Sequence, residues 1–159
     1  RYHKDESCRN FNFQKTAGMI DEELEMAKRQ TLHFLSFRLR SVEEVRKFLF
    51  KKNHPPELIQ KAIDELSEHK FLDDQAFAGW WAESRIKHGW GQIKIKNELK
   101  MKGVDTEIIN SVIARDWGEI IKQGLKGKDR SLKTRRWLAG KGFTWGQINR
   151  VFDDITING

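Results

Sequence analysis

The sequence predicts an all-α protein built from three tandem three-helix repeats, and three observations point there. Apolar residues recur at spacings of three and four along most of the 159 residues. Alternation of period two is confined to IKIK (93–96), too short to outweigh its helical neighbours. One pattern also returns three times. Lys52, Lys102 and Lys141 each precede a residue that tolerates a left-handed backbone, Asn53, Gly103 and Gly142, and so predict a helix stop. Leu49, Leu99 and Leu138 lie four residues before that stop, and Ile59, Ile109 and Ile148 six after it. Ile63, Ile113 and Phe152 lie ten after it. His54, Val104 and Phe143 follow it directly, with His54 the odd one out.

Each copy is thus a basic helix, a stop and a second amphipathic helix. The spacings of 50 and 39 residues make the repeat degenerate, with a shortened leading helix in the last copy. Short helical units that cannot bury their apolar faces alone stack side by side, so an elongated, curved array is expected.

The elements follow in order. Residues 1–19 are polar and patternless, and a poorly ordered arm is expected there. From Ile20 the positions Ile20, Leu24, Ala27, Thr31, Phe34 and Leu35 keep helical spacing, opening a first repeat over 20–70. Ser41 with Glu44 has capping-box spacing and starts a second helix that runs toward Lys52. Pro55-Pro56 opens a third, since proline suits a first turn. Asp73-Asp74 begins the fourth, which runs to about His88 and leads a second repeat over 71–115. The fifth starts after Gly91 and the sixth near Asp105. The seventh, eighth and ninth start near Asp116, Ser131 and Thr144 and fill a third repeat over 116–159.

Thirty Lys and Arg against 23 Asp and Glu leave a net charge of +7, which points toward an anionic partner. The charge is uneven. Asp21 to Glu25 and Glu57 to Asp74 are acidic, whereas Arg85 to Lys102 holds six basic side chains against Glu98 alone. Lys122 to Lys141 holds eight against Asp129 alone. Cys8 is the only cysteine, so no intrachain disulfide forms, and a reducing, cytoplasmic compartment is expected. No apolar run approaches the ~18 residues of a membrane span. A monomer is expected.

HGWGQIKIKNELKMKG (88–103) raises the question of a phosphate loop. A Walker loop needs Gly, four residues, then Gly-Lys-Ser/Thr, and a dinucleotide fingerprint needs a third glycine after a strand. Neither is present, so a helix-to-helix turn is the reading, and no cofactor is implied. The five histidines lie far apart with no i, i+4 pair, so no metal site is expected. Asp73-Asp74 sits where a cap belongs, and no nucleophile has a base at a recognisable spacing. Nothing argues for an enzyme.

The candidate binding surface is basic. In the fifth helix Lys94, Lys96, Lys100 and Lys102 surround the seam of Ile95 and Leu99, with Arg85 and Lys87 just upstream. Lys133, Arg135, Arg136 and Lys141 give the eighth helix a similar character. Arg46, Lys96 and Arg135 recur seven residues before each stop, which favours a shared contact surface over a merely solvated face. Most of the six tryptophans, Trp80 and Trp81 among them, are expected to pack. Trp90 and Trp145, each in a turn beside a basic helix, are the candidates for base stacking.

FLDDQAFAGWWAESRIKHGWGQIKIKNELKMKGV (71–104) resembles the RecX family of regulators of the RecA recombinase. The residues that carry the likeness are Leu72, Asp73, Asp74, Phe77, Ala78, Arg85, Gly89, Gly91, Ile95, Glu98, Leu99, Lys102 and Gly103. RRWLAGKGFTWGQINRVF (135–152) looks like the family's last repeat, and the likeness covers about residues 20–157. It is loosest in the first repeat, where Asn53 and Pro55-Pro56 replace the usual glycine turn. The resemblance implies a non-enzymatic protein of three tandem three-helix repeats. It also implies binding to RecA in its filament on single-stranded DNA, limiting recombinase activity, with direct contact to single- or double-stranded DNA left open. The alternative is a stand-alone basic nucleic-acid-binding module, because three-helix units can resemble a helix-turn-helix.

Overall fold

The computed structural model describes the backbone over residues 7–157 and side chains over 18–154. Among the described residues it is all-helical, with nine helices and no strand. They are α1 (Ser7–Leu35), α2 (Val42–Lys51), α3 (Pro56–Glu68), α4 (Asp74–Lys87) and α5 (Gln92–Met101). α6 (Thr106–Ile113), α7 (Gly118–Gly124), α8 (Leu132–Gly140) and α9 (Trp145–Ile157) complete the set.

The expected starts from Ser41 onward fall within two residues of those found. The first does not. α1 begins at Ser7, so the arm expected over residues 1–19 is a helix from Ser7 on, while residues 1–6 lie outside the described residues. No proline interrupts Ser7 to Met19. Extending a helix already nucleated downstream fixes one residue per hydrogen bond and needs no amphipathic pattern.

The thrice-repeated stop has a physical cause. Asn53, Gly103 and Gly142 have φ of 63°, 73° and 94°. In each copy the stop's N–H donates to the carbonyl three residues earlier, at 3.0 Å from Phe50, Lys100 and Ala139. The next residue's N–H donates to the conserved-spacing leucine: His54 to Leu49, Val104 to Leu99, Phe143 to Leu138, at 3.1–3.3 Å. This is the Schellman arrangement, which closes the last helical turn. The same leucines are buried, as are Ile59, Ile109 and Ile148 and, ten after each stop, Ile63, Ile113 and Phe152. One spacing therefore encodes both the backbone closure and the core. α3 ends the same way at Lys70 (φ 60°), a stop that its residue type does not announce.

The chain divides into two compact units, residues 1–73 and 74–159. In the first, α1 and α2 pack with α3 around Val45, Leu49, Ile59, Ile63 and Leu66. In the second, α4–α6 and α7–α9 share one core, with Phe77, Ile95, Leu99, Ile109, Ile121, Leu138, Ile148 and Phe152 in a single cluster.

Candidate partner-binding surface

Gly89-Trp90-Gly91 is where two helices meet a third. Gly89 (φ 75°) ends α4, and Trp90 donates its N–H to the Arg85 carbonyl at 3.1 Å. Gly91 caps α5 without a side chain. Its N–H donates to the Lys141 carbonyl and that of Ile93 to the Gly142 carbonyl, both at 2.8 Å. Orphan donors at the start of α5 are thus satisfied by carbonyls at the end of α8, a pairing that the two helix dipoles also favour. The approach is so close that a Cβ on Gly91 would stand 2.5 Å from the Gly142 oxygen and the Phe143 nitrogen. Gly91 is buried backbone, not a ligand loop.

Trp90 packs against the shared core and is half-buried. The ammonium of Lys94 lies 3.3 Å from its ring centre and that of Lys141 4.3 Å. Lys141 also lies 5.7 Å from the Trp137 ring, over which Lys128 sits at 4.7 Å. Trp81 has a matching setting, with Lys102 at 4.1 Å and the Arg85 guanidinium at 4.3 Å. The Trp81 indole N–H and Arg85 Nε both donate to Glu98 Oε2, at 2.9 and 2.6 Å. Each such ring–cation pair contributes about 0.5–1 kcal/mol where exposed.

The candidate cations therefore separate into two groups. Arg85, Lys94, Lys102 and Lys141 rest on tryptophan rings of their own unit. Arg135 donates to Asn149 Oδ1 at 2.8 Å and lies 4.4 Å from the Phe152 ring. Its counterpart Arg46 donates to Gln60 Oε1 at 2.9 Å. Gln60 and Asn149 each follow a repeat isoleucine, so in the first and last repeats the basic residue seven before the stop clips the second helix to the third. That gives the recurrence of Arg46 and Arg135 a structural reason. The second group is Lys87, Lys100, Lys133 and Arg136, all exposed, with Lys96 half-buried. Lys133 lies in the field of Asp129, whose carboxyl is held below its ordinary range by the Thr134 hydroxyl first, then that of Ser131.

Of the tryptophans expected to pack, Trp117 is buried, Trp81 is half-buried, and Trp80 is 39% exposed against Trp81. Of the two stacking candidates, Trp90 has its ring occupied and Trp145, at the first position of α9, is 50% exposed. Sequence reading passed over Phe48–Lys52, Trp81–Arg85, Trp90–Lys94 and Trp137–Lys141, which are ring–cation contacts. All four pairs have i, i+4 spacing, which brings side chains together along a helix face; of the four rings, Trp90 alone lies outside a helix, in the turn before Gly91. Among the described residues no helix is long and apolar enough to cross a membrane, and no cluster of metal-ligating side chains occurs.

Fold and surface together define a tandem three-helix-repeat protein whose second unit is studded with cations and tryptophans. Residues 27–66 match the model of the RecX first three-helix domain and residues 73–113 that of the second. Regulatory protein RecX of Halalkalibacterium halodurans is 32% identical, over 87% of this chain and 58% of that relative. That of Serratia proteamaculans is also 32% identical, over 63% of this chain and 67% of the relative. A crystal structure of regulatory protein RecX superposes with a TM-score of 0.74 at 19% identity, covering 96% of this chain and 79% of that one. RecX from Lactobacillus salivarius gives 0.72, also at 19%, covering 86% and 99%. The chain belongs to the RecX family, a family of regulatory proteins and not of enzymes. It spans little more than half the length of several of its curated relatives, 56–58% for those from Halalkalibacterium halodurans and Bacillus subtilis.

Proposed function

We propose that this chain binds the RecA recombinase, in its filament on single-stranded DNA, and restrains recombinase activity, thereby modulating DNA repair and recombination in the cytoplasm. Family membership supports the regulatory role. The observation that supports the mode of contact is the exposed group of cations, Lys87, Lys100, Lys133 and Arg136, on and beside the second helices of repeats 71–115 and 116–159. They are spent neither on core nor on rings, and they suit a polyanionic nucleoprotein filament with electrostatics aiding encounter. The cations Arg85, Lys94, Lys102 and Lys141 rest on Trp81 and Trp90 of the same unit, and Arg135 clips the helix that carries Arg136.

A stand-alone nucleic-acid-binding module is the second reading, favoured by the exposed Trp145. Retention on pre-formed RecA filaments, with bare single-stranded DNA at the same salt as control, separates the two. Retention that requires RecA is expected. Equal retention on bare DNA, falling steeply with salt, would favour the module.

A further inference from the structure

Beside the exposed lysines the second unit carries a surface of different character. Trp81, Arg85, Glu98, Met101 and Lys102 line an open groove of about 350 Å³ between α4 and α5. Met101 is 74% exposed at the end of a helix in which Ile95 and Leu99 are fully buried and Ile93 is 45% exposed. Trp80, in edge contact with Trp81 at 6.0 Å, adds a further exposed ring. Glu98 is occupied by Trp81 and Arg85, and Arg85 uses Nε for that contact, which leaves its Nη donors for an incoming acceptor.

This mixture does not suit a nucleic-acid strand. The Trp81 ring, at the groove wall, already has two cations within 4.3 Å, so a base has no ring there to stack on. A half-buried carboxylate and an exposed thioether add nothing to phosphate binding. Exposed Trp and Met beside Arg are instead what protein interfaces concentrate, and methionine adapts to varied apolar side chains. From this we infer that the groove receives an acidic peptide segment of the partner protein. A carboxylate of that segment meets the Nη donors of Arg85, and a neighbouring apolar side chain rests on Met101 and Trp80. The inference rests on the reading of the chain as a regulator of a RecA filament.

The test places a photo-crosslinking residue at the groove (Met101→benzoylphenylalanine) and, separately, on the exposed basic surface (Arg136→benzoylphenylalanine). Each variant is irradiated on RecA filaments and the joined peptides are sequenced by mass spectrometry. The expected product from position 101 is a RecA segment rich in Asp and Glu with an apolar residue. Met101→Glu, at a position too exposed to disturb folding, is expected to weaken filament binding about tenfold. A position-101 product with DNA, or with a neutral or basic segment, overturns the inference. So does no product from 101 while 136 crosslinks to filaments, and the regulatory reading then stands. No product from either position, with no retention on filaments, overturns both.

Discussion

Helices α2 and α5 begin at equivalent points of successive repeats and are closed in different ways. α2 closes itself: Ser41 Oγ accepts from the Glu44 N–H at 3.2 Å, and Glu44 returns the contact to the Ser41 N–H at 3.3 Å. α5 has glycine at that position and is closed by the carbonyls of Lys141 and Gly142 from the next repeat. The first solution makes a helix start independent of its surroundings. The second makes it conditional on a neighbour, and it leaves no room for a side chain at Gly91 or Gly142. Repeats 2 and 3 accordingly share one core, and Trp90, Lys94 and Lys141 are drawn into their joint.

Substitutions can break this contrast in graded steps. Gly91→Ala forces a Cβ into the backbone of Gly142 and Phe143, and unlike a side-chain clash this cannot relax by a rotamer change. A loss of about 3 kcal/mol is expected, seen in denaturant unfolding as a lower midpoint. Gly142→Ala meets Lys94 at 2.9 Å and also strains a φ of 94°, for a loss of about 2 kcal/mol, with faster amide exchange at Gly91 and Ile93. Ser41→Ala removes a self-contained cap at about 1 kcal/mol, and the thermal midpoint of a chain carrying it should fall least among these three. Asn53→Gly exchanges one left-handed-tolerant residue for another and should alter stability by less than about 0.5 kcal/mol, so that its unfolding curve overlays the parent. An equal cost for Gly91→Ala and Ser41→Ala would erase the distinction between the two helix starts.

Much of the fold was legible because one spacing carries two demands. The leucine four before each stop supplies both a buried side chain and the carbonyl that closes the turn, so pattern and geometry agree. Pro55-Pro56 and Ser41 marked helix starts through local chemistry. The early start of α1 was not legible, because residues 7–19 lack the apolar period by which helices are found. Nor was the Lys70 stop, since lysine seldom adopts a left-handed backbone and context imposes it here. The site was legible in composition and less so in roles. Trp90–Lys94 is a local pair that spacing could reveal, whereas Lys141 reaches Trp90 across 51 residues only because Gly91 meets Gly142.

The same joint sorts the lysines into those that build and those left to bind, and a paired charge reversal tests that division most directly. Lys94→Glu with Lys141→Glu is compared with Lys100→Glu with Arg136→Glu, and retention on RecA filaments is measured per folded molecule. The exposed pair is expected to lose retention several-fold at unchanged stability, and the ring-bound pair to lose about 1–2 kcal/mol of stability while its folded fraction still binds. Filament retention lost by the ring-bound pair at full stability, and kept by the exposed pair, would contradict the division.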